Sequence, residues 1–116
     1  MSLSANRRAI ADALAAVVDV PVSIDPRSVN PPCVLVDAPD ALEAAGCGWS
    51  GVVPVWVLAP GPGNLDALER LLDLLELCRE AARVTIAGPA RKDTYYTDPT
   101  GETGLPGYVF EAVLTT

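Results

Sequence analysis

"VVPVWVL", residues 52–58, is the stretch on which the fold turns. β-Branched and aromatic residues dominate it, and turn residues bound it, "G" at 51 and "APGPGN" at 59–64, so it reads as a strand. Pro54 has no backbone N–H to give to a ladder. Its presence predicts an edge strand, a bulge or a position that needs no pairing. With its flanks this is the longest apolar run of the chain, "GVVPVWVLAPG", and it falls short of the roughly 18 residues a membrane span needs.

Downstream, "NLDALERLLDLLELCREAAR" (64–83) has the leucine spacing of an amphipathic helix. Asn64 is a suitable N-cap, and Asp66 in the first turn complements the helix dipole. "RVTIAG" (83–88) and "KDTYYT" (92–97) read as two short strands, and "DPTGETGLPG" (98–107) as a polar loop. "YVFEAVLTT" closes the chain as a strand, with Tyr108, Phe110, Ala112 and Leu114 alternating against Val109, Glu111 and Val113.

Upstream, "APDALEAAGCGWSG" (38–51) predicts one helical turn at Ala41 to Ala45 and a glycine-rich turn around Trp49. "CVLVD" (33–37) is continuously apolar and reads as a central strand, "PRSVNPP" (26–32) as a loop, and "DVPVSID" (19–25) as a half-buried strand. Residues 3–18 predict a first helix, capped by Ser2 or Ser4, with Leu3, Ile10, Leu14 and Val17 on one face. The expected order is α-β-β-β-α-β-β-β, give or take one short strand. It fits one α+β domain over residues 1–116: a mainly antiparallel β-sheet covered on one face by two α-helices.

Composition narrows the chemistry. The formal charge is −7, from 8 basic and 15 acidic residues, with basic pairs only at Arg7-Arg8 and Arg91-Lys92. That argues against a nucleic-acid-binding surface. There is no histidine, so the usual general base is missing, and the lone Lys92 has no nucleophile motif around it. Cys33, Cys47 and Cys78 form no CxxC and read as buried, reduced thiols rather than zinc ligands. "PGPGN" (60–64) lacks the G-K-[ST] of a phosphate loop and reads as a stiff strand-to-helix connection. No cofactor or metal is expected. Asp12 and Asp19 interrupt the alanine-rich N-terminal stretch, which does not follow the order of a signal peptide.

Two surfaces remain as candidates for function. Arg91, Lys92, Tyr95 and Tyr96 suggest a contact surface, since Tyr and Arg are favoured where proteins meet; strand propensity alone also accounts for the tyrosines. Trp49 and Trp56 read as core, Trp49 the more exposed. In the long helix Asp66, Glu69, Asp73, Glu76 and Glu80 fall within an arc of roughly 80° at about 100° per residue. Leu68, Leu71, Leu72, Leu75 and Cys78 are expected opposite them, with Leu74 and Leu77 on a flank as apolar surface available to a partner. Arg70 and Arg79 are expected to relieve the like-charge row in part. The row is either a solvated face or the lining of something where negative charge is useful.

The order of these segments resembles the small tail-terminator proteins of long-tailed phages, the lambda tail-terminator type. The resemblance runs through nearly the whole chain: the alanine-rich first helix followed by "VPVSIDP", then "NPPCVLVD", "VPVWVLAPG", "NLDALERLLDLL" and "YYTDPTGETGLPGYVFEAVLTT". The composition, rich in alanine, valine and proline, resembles that of chains from actinobacterial phages and prophages. The resemblance implies a virion structural protein rather than an enzyme. It implies a ring, six copies in the family, on the head-proximal end of the tail tube. That ring stops tube growth and offers a docking surface to the head-completion (stopper) protein. Its partners would be further copies of itself, the major tail tube protein and the connector, with DNA only as passing cargo in the lumen and no membrane. Such a subunit is made in the host cytoplasm and ends in the neck of the virion. An acidic lumen or rim, built from the five helix acids, would let DNA slide past. Two alternatives stay open, another neck or head-completion subunit and a small cytosolic ligand-binding α+β domain.

Overall fold

β4 (Gly48–Leu58) is flanked on both sides, so "VVPVWVL" is the centre of the sheet and not its edge. The computed structural model describes residues 2–60, 65–97 and 104–116. In chain order the other elements are α1 (Leu3–Ala15), β1 (Val22–Ser23), β2 (Cys33–Val36), β3 (Leu42–Ala45), α2 (Leu65–Arg79), β5 (Ile86–Tyr96) and β6 (Gly104–Thr115). The six strands make one sheet in the order β1-β2-β4-β6-β5, with β3 added to β4. Only the β1–β2 pairing is parallel.

One edge of β4 is continuous along β6, from Ser50↔Thr115 to Leu58↔Gly107. The other is shared: β2 pairs with Val55–Leu58 and β3 with Gly48–Gly51. Pro54 lies in the gap between them. Its carbonyl accepts from the Asp37 N–H at 2.9 Å, so its nitrogen faces the same gap, where the missing hydrogen matters least. None of the three readings of Pro54 holds: it is no edge, bulge or pairing-free position, but sits in a central strand in register with Glu111 of β6, with one donor missing on the edge that faces Asp37. The Asp37 carbonyl that an N–H at position 54 would have met is taken by Arg7 Nε at 3.0 Å. The same guanidinium donates through Nη2 to Val36 O at 2.7 Å and Ile24 O at 2.5 Å, tying α1 to the ends of β1 and β2.

Both helices lie on one face. Ser2 accepts from the Ala5 N–H at 3.0 Å and caps α1, whose Ile10, Ala11 and Leu14 are buried. They meet Val34 and Val36 of β2, Val53, Val55 and Val57 of β4, and Phe110, Ala112 and Leu114 of β6, all in one core. The alternation read in β6 is thus the observed one.

Four further local expectations fail. Ala41 to Ala45 is no helical turn: Leu42–Ala45 is β3, turned into β4 through Gly46 at φ 59°. Helix propensity in "ALEAA" yields to pairing with Gly48–Gly51. "RVTIAG" and "KDTYYT" are not two strands but one, β5, interrupted by an irregularity between Ala87 and Arg91 where Gly88 takes φ 74°. "GLPG" (104–107) is not loop but the start of β6. "DVPVSID" keeps only two residues of strand, β1.

The Pro54–Arg7 arrangement has a measurable consequence. Arg7→Ala should lower the unfolding free energy in urea by about 2 kcal/mol, as expected for charge-assisted bonds lost from part-buried carbonyls. Pro54→Ala supplies an N–H opposite Asp37 O and should recover part of that loss in the double variant. Equal losses with and without Pro54 would show that Arg7 does not substitute for the missing donor.

Candidate functional site

α2 has three faces. Leu71, Leu74 and Cys78 are buried, and Ala67, Leu75 and Leu77 are packed against the core. Asp66, Glu69, Asp73, Glu76 and Glu80 are all exposed. Between core and acids runs a third row: Leu65, Leu68 and Leu72 are 67%, 39% and 44% exposed. The expected inner face is therefore rotated. Leu74, expected on an outer flank, has no exposed surface and is unavailable to a partner; Leu77 is half-buried; Leu68 and Leu72 face outward. The cause is the small residues. Ala67 and Cys78 share a heptad-like row with Leu71 and Leu74, and it is that row that packs into the core. A reading anchored on Ala67 and Cys78 instead of on the leucines would have found it.

Among the described residues none of the five helix acids forms an ion pair. Arg70, expected to relieve them, turns instead to Asp19 in the segment after α1, Nη2 to Oδ1 at 2.8 Å. Both partners are substantially exposed, so the pair adds at most about 1 kcal/mol.

A groove opens between α2 and the β5–β6 pair, lined by Ala67, Leu68, Leu71, Pro106 and Tyr108, with Lys92 at its rim. Leu68 of the exposed row forms part of its wall. A second groove lies on the helix-free face, where Val52, Pro54, Trp56 and Val109 make an apolar floor under Asp37, Asp40, Arg91 and Glu111.

Strand alternation divides the expected Arg91, Lys92, Tyr95 and Tyr96 surface in two. Lys92 pairs across from Tyr108 on the helix side, and Tyr96 follows it there, 57% exposed. Arg91 lies on the helix-free side with Tyr95, whose ring meets Trp56 edge-on at a centroid distance of 5.2 Å. Burial, then the nearby Asp37, push the Tyr95 phenol above its ordinary value. Trp56 is half-buried, whereas Trp49 is 47% exposed on the β3–β4 hairpin, outside the core expected for it.

All three cysteines are free; Cys33 and Cys78 are buried, and Cys47 is exposed, against expectation. Among the described residues no three His, Cys, Asp or Glu side chains converge as a metal site would require, and no helix is long and apolar enough to cross a membrane. Asn64, with the rest of "GPGN" (61–64), and residues 98–103 of the polar loop lie outside the described residues. No protein-family model matches the chain, and no curated protein matches it by sequence.

Two measurements test this arrangement. Leu74→Ala should cost about 2–5 kcal/mol and Leu72→Ala no more than about 0.5 kcal/mol in urea unfolding; similar costs would refute the rotated helix face. Burial pushes the Cys78 thiol from 9.0 to about 11. A raised folded-state value favours the neutral thiol, so its contribution is complete below pH 9.0 and lost as pH rises through about 11. Stability should fall more steeply across that window in the natural chain than in Cys78→Ala.

Proposed function

We propose that this chain is a structural subunit of the tail-terminator type. Copies of it form a ring, six in the family it resembles, on the head-proximal end of a phage tail tube. The ring stops tube polymerisation and presents a surface to the head-completion protein. The observation that carries this reading is the exposed row Leu65, Leu68 and Leu72, which gives α2 more apolar surface than one chain buries. A ring subunit needs such surface on its flanks. The α+β fold, with two helices on one face of a mainly antiparallel sheet, supports the same reading. So does the acid row, which suits a surface that DNA passes without binding.

The groove over Trp56 on the helix-free face favours a second reading, a small ligand-binding domain. Oligomeric state separates the two. Size-exclusion chromatography with light scattering should give a hexamer mass for the ring subunit and a monomer for the ligand-binding domain. The decisive measurement is tail length in particles assembled without this chain. Overlong, heterogeneous tubes are expected; tubes of normal, fixed length would refute the terminator reading.

A further inference from the structure

Both helices pack on one face of the sheet, and its other face keeps apolar surface in the open. Val52, Pro54 and Trp56 of β4 and Val109 and Val113 of β6 lie on the helix-free side, outside the core. Val113 is 38% exposed and the other four are half-buried. Val52, Pro54, Trp56 and Val109 form the floor of the groove already described there. Tyr95, edge-on to Trp56 at 5.2 Å, steadies the indole, which limits the entropy lost on docking.

Charge at the rim selects the occupant. Asp37, Asp40, Asp93 and Glu111 stand around this floor against one guanidinium, that of Arg91. Among the described residues Arg91 makes no ion pair with any of the four. A neutral apolar occupant would cover the floor but take water from the carboxylates without pairing them. An anion is repelled. A metal ion would use the rim and leave the floor, and among the described residues no three such side chains converge on one point. A lysine or arginine side chain uses both: its stem lies on apolar surface, its charge stays at the carboxylates, and a guanidinium stacks on an indole.

The spacing of the carboxylates asks for more than one such side chain. Asp37 and Glu111 flank Pro54, the first bonded to its carbonyl, the second paired with it from β6. Asp93 is level with Gly107, four residues along β6 from Glu111, so roughly 13 Å of strand separates the two levels at about 3.3 Å per residue. One cation cannot serve both. Two basic residues four apart on an extended segment span the same distance. A second copy of this chain is a poor source for them: it carries a net charge of −7, and in its Arg7-Arg8 pair Arg7 is held by the carbonyls of Ile24, Val36 and Asp37.

We infer that the helix-free groove docks an extended, basic segment of a partner protein. One basic side chain lies over Pro54 between Asp37 and Glu111, and a second reaches Asp93 beyond Trp56. The contact rests on this groove being a binding site, as in the second reading above, and not on the ring, which uses the other side of the sheet.

The test titrates the full, isotope-labelled chain with a heptapeptide that has two arginines four residues apart and a valine midway, and follows the backbone amide signals. Saturable shifts are expected at Val52, Trp56, Val109 and Glu111, with affinity falling about tenfold or more between about 50 and about 500 mM salt. Asp93→Asn combined with Glu111→Gln, both at exposed positions, should weaken binding about tenfold with an unchanged circular dichroism spectrum. Argininamide, a single cation, should bind about tenfold more weakly than the peptide. No saturable shift at about 10 mM peptide, equal binding of the same peptide with glutamates for arginines, or unchanged affinity in the double variant would each overturn the contact. Argininamide binding as tightly as the peptide would also overturn it, in favour of a small organic cation. Tail length decides separately on the terminator reading: normal tails without this chain would remove that reading and leave the contact standing.

Discussion

The backbone nitrogen of Pro54 carries no hydrogen, yet it belongs to the strand on which every other element leans. A central strand tolerates this best where a ladder ends, and at Pro54 the second edge of β4 passes from β2 to β3, with Asp37 giving a bond to Pro54 O and receiving none from it. Two consequences spread outward. Asp37 O loses its natural donor, and Arg7 supplies one from α1, so the first helix is fixed to the sheet by a charge-assisted bond as well as by packing. And β4 runs on past the β2 pairing, carrying the β3–β4 hairpin and Trp49 with it.

Where periodicity and composition point the same way, the elements can be read from the residues. The cap and inner face of α1, the buried run of β2 and the alternation of β6 are of this kind, because each has a single apolar face. The fold class follows from their order. α2 is different. Leucines stand all round much of it, so the pattern fixes a helix without fixing which side meets the sheet. Packing chose the side with Ala67 and Cys78, and the leftover leucines became the candidate surface. That surface is defined by what the core leaves behind and is hidden from any reading that cannot weigh two apolar faces against each other.

The other differences share a cause: local preference met pairing that the sequence does not display. "ALEAA" prefers helix in isolation and becomes β3 because β4 offers an edge beyond the gap. Arg91, Lys92, Tyr95 and Tyr96 look like one cluster along the chain. In a strand, residues one apart face opposite sides, so the two basic residues serve different grooves. The period of two was available in the sequence; what was missing was the single register of β5 across its irregularity at Gly88.

The three faces of α2 also constrain one another. On the helix wheel the acid row lies roughly 90° from the row Leu65, Leu68, Leu72 and roughly 140° from the core row. A neighbour that covers the leucines therefore meets the acids only at the margin of the contact. Burying five unpaired carboxylates would cost several kcal/mol each, so any such contact has to end before it reaches them. Arg70, at the flank of the row, is turned away from them by its pair with Asp19. The acids must stay wet in any assembly that uses this leucine row. A wet, negative strip running beside a subunit contact repeats at every copy of a closed ring, so the charge that opposes association along the strip becomes a continuous feature of whichever wall of the ring it faces.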